Sequence, residues 1–124
     1  MGKVVDNSVL DAALAEIATA TNITVTSAEP ANYAGIAAVT LATTTLTAGL
    51  GNGDFTAADG DTNGRKVTVT AQNDISITAS DDATHIVLDD GATMLYVTTC
   101  TTQALTSGGT VSIPAWDIEI ADPT

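Results

Sequence analysis

The sequence is poor in the side chains that do chemistry, holding one cysteine, one histidine, one tryptophan and three basic residues among 124. Cys100 has no second cysteine to pair with, so an intramolecular disulfide is excluded and no oxidising compartment is implied. The run VTTCTTQ around it offers no electropositive neighbour to activate a thiolate, and Cys100 reads as a small core residue. His85 is the sole histidine, which rules out a His-rich zinc site; it reads as a strand-surface residue. Aromatic residues make up 3% of the chain, with Tyr33, Phe55, Tyr96 and Trp116 as the whole set. No cationic segment precedes an apolar stretch, so no secretory signal is expected, and no apolar run approaches the roughly 18 residues of a membrane span.

Positive charge is scarcer still. Lys3, Arg65 and Lys66 face fifteen acidic residues, a formal net charge of -12. That field repels phosphate backbones and anionic lipid surfaces, so neither nucleic acid nor membrane is an expected partner. It also keeps many copies of one protein soluble when they crowd on one assembly.

What is present describes one domain. The length suits a single core. Alanine makes up a large part of the apolar content, 21 residues beside 27 Val, Ile and Leu, so that core is thin and aliphatic. A lean core gains stability by burying more apolar area against a partner, which points to a homo-oligomer or a lattice.

Near the N-terminus SVLDAALAEIATA has helical periodicity, with Ser8 as expected cap and Leu10, Leu14 and Ile17 on one stripe. Residues 1–20 therefore read as an arm with a helix, whose stripe must dock on the sheet or on a neighbour. From Ile23 the period becomes two. Alternating apolar and polar residues recur around Ile23 and Val25, Val39 and Leu41, Val67 and Val69, Ile75 and Ile77, Val111 and Ile113, and Trp116, Ile118 and Ile120. THIVL and ATMLYV flank Asp90-Gly91, a hairpin signal that needs positive φ. Threonine, nearly one residue in five, suits the wet face of a pleated sheet. Residues 21–124 are thus expected to form one all-β domain, an antiparallel β-sandwich of about seven or eight strands.

The segment DGDTNGRKVTVT is the one motif with a ligand pattern. Asp59, Asp61, Asn63 and Gly64 match positions 1, 3, 5 and 6 of a calcium loop, but Thr70 stands where the closing Glu belongs, and Arg65 and Lys66 bring positive charge beside the ligands. An Asx-rich turn feeding a strand explains the same residues. GLGNGDF is rich in glycine yet lacks the Lys-Ser/Thr ending of a phosphate loop. No cofactor and no catalytic residue is expected. Trp116 is an expected core anchor or, with Leu10, Leu14 and Ile17, an interface residue.

The final stretch, MLYVTTCTTQALTSGGTVSIPAWDIEIADP, together with VLDAALAEIATA, Ser27 to Ala34, Asp59 to Val69 and ATHIVLDDG, resembles small virion proteins of tailed bacteriophages. The resemblance implies a structural class and no catalytic residue. A capsid decoration, or cement, protein on the outer face of the major capsid lattice is the expectation it favours, made in the host cytoplasm and carried on the virion surface. A tail or fibre component and a receptor- or carbohydrate-binding module are the alternatives.

Overall fold

The computed structural model describes residues 5–122. Lys3, the first four residues of the expected arm and Pro123 lie outside the described residues.

Helix α1 spans Asn7–Ile17, and its cap is Asp6 rather than Ser8. The Asp6 carboxylate accepts from the Ser8 backbone N–H at 2.9 Å and from the Ser8 hydroxyl. A carboxylate outcompetes a hydroxyl here because it satisfies an orphan amide and meets the positive end of the helix dipole together. Leu10 and Leu14 are buried, and Ile17 packs partly buried against the same core. The helix rests on the domain's own sheet, so the expected interface stripe is internal. Leu10 and Leu14 have no apolar area left to offer a partner, which corrects that expectation.

Among the described residues nine strands follow, one more than the upper expectation. They are β1 (Asn22–Thr26), β2 (Thr40–Thr45), β3 (Phe55–Asp59), β4 (Arg65–Val69), β5 (Gln72–Ser76), β6 (Asp81–Asp89), β7 (Met94–Leu105), β8 (Thr110–Ile113) and β9 (Trp116–Ile120). The addition is β3, whose FTAAD carries too little apolar contrast to show a period of two, although Phe55 is fully buried. Val39 belongs to a short helical turn, α2 (Ile36–Val39), and not to a strand. A preceding single turn, Tyr33–Gly35, is capped by Asn32, whose side chain accepts from the Gly35 N–H at 3.0 Å. That Asx cap turns the chain helical before β2 begins.

All strand pairs are antiparallel. Four strands run in the order β2-β1-β6-β7, three in the order β3-β4-β9, and two as β5-β8. The β5-β8 pair leans on the first sheet, since Ala42 and Ile77 form an antiparallel bridge and Thr78 N–H donates to the Leu41 carbonyl at 2.8 Å. Ile23, Val25, Leu41, Phe55, Val67, Val69, Leu88 and Ile118 share one core between the layers. The architecture is all-β and sandwich-like, with one N-terminal helix packed into it. At Asp90-Gly91 the turn is a four-residue loop with positive φ at Gly91 alone. Asp90 braces it by accepting from the N–H groups of Ala92 and Thr93 at 2.9 and 2.7 Å.

Candidate functional site

Followed strand by strand, the chain of neighbours runs β7, β6, β1, β2, β5, β8, joined between β2 and β5 by the Ile77 bridge. It does not close. β7 and β8 are consecutive, linked by the Thr106–Gly109 turn, yet they do not pair, and among the described residues each keeps one edge without a partner strand. Among the described residues β7 makes ladder bonds to β6 alone. A cleft of about 450 Å³ occupies the seam. Its walls are Thr98, Thr99, Cys100, Thr101 and Gln103 of β7, Val111, Ser112 and Ile113 of β8, with Val25, Ala83, Ile86, Pro114 and Trp116 beneath and beside them.

The seam has a local cause. Between the pairs Ala83↔Gln103 and His85↔Thr99, β6 advances two residues while β7 advances four, so β7 bulges at Cys100 to Thr102. A second irregularity sets Leu88↔Tyr96 beside Asp89↔Met94. Bulges bend a strand and raise its twist, which swings this half of β7 away from β8. On the other wall, β5 bulges between Gln72 and Ile75, where Asp74 takes positive φ of 56° and its N–H is held by the Ser112 hydroxyl at 3.1 Å. One end is closed by Trp116 against Tyr96, ring centroids 5.9 Å apart. The Trp116 Nε1–H is buried without an acceptor.

No charged side chain lines the cleft. Its surroundings are acidic: Asp81 and Asp82 stand opposite Leu105 and Ala104 in the ladder that continues into Ala83 and Gln103, and Asp74 is bonded to Ser112. Burial pushes the Cys100 thiol up from its ordinary pKa, the reverse of an activated nucleophile. His85 pairs with Thr99 across the ladder, and its Nδ1 is 2.8 Å from the Thr84 hydroxyl.

The segment with the calcium-loop pattern is a five-residue loop, 60–64, with its flanking strand ends between β3 and β4, and its side-chain oxygens are engaged with protein donors. Asp59 Oδ1 accepts from Arg65 Nη1 at 2.7 Å, Asp61 Oδ1 from Lys66 Nζ at 2.8 Å, and Asn63 Oδ1 from the Asp122 N–H at 2.9 Å. Arg65 also donates through Nε to Asp11 of α1 at 2.8 Å, and Lys66 reaches Asp117 of β9 at 3.5 Å. These partners raise the pKa of both cations, first Asp11 for Arg65 and Asp61 for Lys66. Arg65 and Lys66 thus pair with the loop's carboxylates and bind α1, the loop and β9 together. Among the described residues no three His, Cys, Asp or Glu side chains gather as a metal site. None of the described helices is long and apolar enough to cross a membrane.

The seam was not legible in the sequence. Only the VTTCTTQ run hinted at it, being a long uncharged strand that no gatekeeper residue interrupts. Of the expected interface residues, Trp116 alone lies at the seam. The chain matches no protein-family model, no curated protein and no solved structure.

Proposed function

We propose that this chain is a non-catalytic structural protein of a virus particle, a decoration protein that docks on the outer surface of the major capsid lattice. The observation that carries the reading is electrostatic. Both described cations are held inside an intramolecular network with Asp11, Asp59, Asp61 and Asp117, so the outward surface of a chain with net charge -12 is left acidic. Such a body avoids packaged nucleic acid and anionic membranes and suits repeated docking on protein. The resemblance of its motifs to small tailed-phage virion proteins supplies the rest. Each contact contributes little by itself, and many copies on one closed shell act together.

The placement of the aromatics favours a protein partner over a sugar. Phe55 is fully buried, Tyr96 and Trp116 pack on each other, and Tyr33 is the large aromatic left exposed. A single exposed ring is a poor stacking platform. Quantitative mass spectrometry of purified particles tests the reading: hundreds of copies in proportion to the capsid protein support it, whereas a handful per particle place the chain at the tail or a fibre and overturn it.

A further inference from the structure

From the seam we infer that β7 is a receptor edge for an extended, positively charged segment of a partner protein, which adds to the sheet as a further strand and lays alternate side chains into the cleft. The inference rests on the reading of the chain as a protein-docking accessory module, and names the surface and the chemistry of its partner.

Three features of the seam converge on a strand. First, β7 is 12 residues long, has no Pro and no charge from Met94 to Leu105, and its outer edge is unpaired among the described residues. Natural sheets normally blunt such an edge with lysine, proline or a cover, since a free row of N–H and C=O groups templates another chain. Second, four consecutive β7 residues, Thr98 to Thr101, line the cleft, so both sides of the pleat meet it and it lies along the edge rather than under one face. Third, the floor is apolar, with Val25, Ala83 and Ile113 below and the half-buried Trp116 ring beside them. A strand in this position pairs with β7 and shields β8, closing the run β7-β6-β1-β2-β5-β8 into a barrel and removing both open edges.

Charge selects the occupant. Asp74, Asp81 and Asp82 stand beside the cleft, and neither Lys nor Arg lines it. A second copy of the chain carries the same net charge of -12 into the encounter, so like charge opposes self-addition. A segment in which Lys or Arg alternates with Val, Ile or Thr meets both demands: apolar side chains inward, cations outward against the carboxylates.

The test uses the full chain and random dodecapeptides displayed on yeast. Enriched peptides are expected to alternate apolar residues with Lys or Arg, to change the fluorescence of Trp116, the sole tryptophan, and to protect β7 amides from hydrogen exchange. Thr99→Lys, which puts a cation on the exposed edge, is expected to weaken binding by about tenfold or more, with Gln103→Lys as a second exposed variant should the first fold poorly. Thr99→Val keeps the edge uncharged and is expected to hold affinity within about twofold. Enrichment of no peptide, enrichment of acidic peptides, insensitivity to both lysine variants, or protection confined to other strands each overturns the inference. So does self-association of the purified chain in sedimentation equilibrium that Thr99→Lys abolishes, which assigns the seam to a second copy. Virus particles take no part in these measurements, so the seam and the decoration reading fail separately.

Discussion

Arg65 of β4 reaches back across 54 positions of sequence to place its Nε 2.8 Å from Asp11 Oδ1, and this contact fastens the N-terminal helix to the sheet. The same guanidinium holds Asp59 at the end of β3, so one side chain joins the helix, the β3–β4 turn and the strand it stands on. Arg suits this place because its planar fork serves two acceptors while its stem lies along the sheet.

The pair predicts a division between orientation and adhesion. Arg65→Met keeps the apolar stem and loses the charge, and is expected to lower Tm and the urea midpoint, with the difference from wild type shrinking between 50 mM and 1 M salt as screening weakens the native ion pairs. Leu14→Ala, at a fully buried position, is expected to cost about 2–5 kcal/mol at any salt concentration, because it removes core contacts and leaves a cavity. Equal salt sensitivity of the two variants would contradict the division. Urea denaturation followed by circular dichroism at the two salt concentrations decides.

The turn before Arg65 predicts an intolerant glycine. Gly64 has φ of 73°, and a Cβ there would lie 2.0 Å from the Ile120 carbonyl oxygen, a backbone atom of β9 with no room to retreat. Gly64→Ala is therefore expected to lose about 2 kcal/mol or more, the left-handed backbone and the clash adding together. Gly91→Ala, also at positive φ but with nothing near the new methyl, is expected to lose only about 1 kcal/mol. Paired urea titrations of the two variants give the comparison, and equal losses would mean that the close approach to β9 costs nothing.

How far the sequence foretold this arrangement depended on whether the cause was local. The helix, most of the strands and the Gly91 turn are encoded by period and by glycine chemistry within a few residues, and so were readable. The cap at Asp6 was missed because Ser8 also fits a cap by residue type, and in the fold both the Ser8 N–H and its hydroxyl donate to Asp6 instead. β3 was missed because alanine at 57 and 58 erases the alternation. The helix stripe is a different case: Leu10, Leu14 and Ile17 are apolar whether they dock on the sheet or on a neighbour, and only the tertiary fold shows Leu10 and Leu14 buried within the domain. The seam was least readable of all, being a consequence of bulges in β7 and β5 that follow from register against other strands.

Asp90 predicts an acid-side loss. Its carboxyl is held below the ordinary aspartate range chiefly by the N–H groups of Thr93 and Ala92. The unfolded chain takes up that proton more readily than the native one, so the contribution of Asp90 is complete above about pH 4, the ordinary value, and is lost as pH falls through the depressed native value. Lowering pH also relieves repulsion in a chain of net charge -12, and the two trends oppose each other in the wild type. Comparison with Asp90→Ala isolates the loop: the stability gap is expected to be widest near neutral pH and to close toward about pH 2. A gap that is constant with pH would show that the loop hydrogen bonds do not depend on the charged form.

Cys100 predicts a sluggish thiol. Desolvation raises its pKa, leaving less thiolate at neutral pH than a free cysteine holds. Reaction with dithiodipyridine at pH 7 is expected to run about tenfold slower in the folded protein than in urea, and to accelerate as pH rises. Reaction as fast as in urea would place the thiol outside the cleft wall.

Trp116 predicts an asymmetric pair of substitutions. Its ring packs on Tyr96 and the core, which argues for a large loss on truncation, while its buried Nε1–H lacks an acceptor, which argues that part of the indole is destabilising where it stands. An unpaired buried donor costs about 1–3 kcal/mol, comparable to the area given up when the indole becomes a phenyl ring. Trp116→Phe is therefore expected to stay within about 1 kcal/mol of wild type, and Trp116→Ala to lose about 2–3 kcal/mol because the half-buried ring contact goes as well. Circular dichroism in urea measures both without the tryptophan signal. A phenyl variant as unstable as the alanine one would show that the indole N–H has an acceptor in solution.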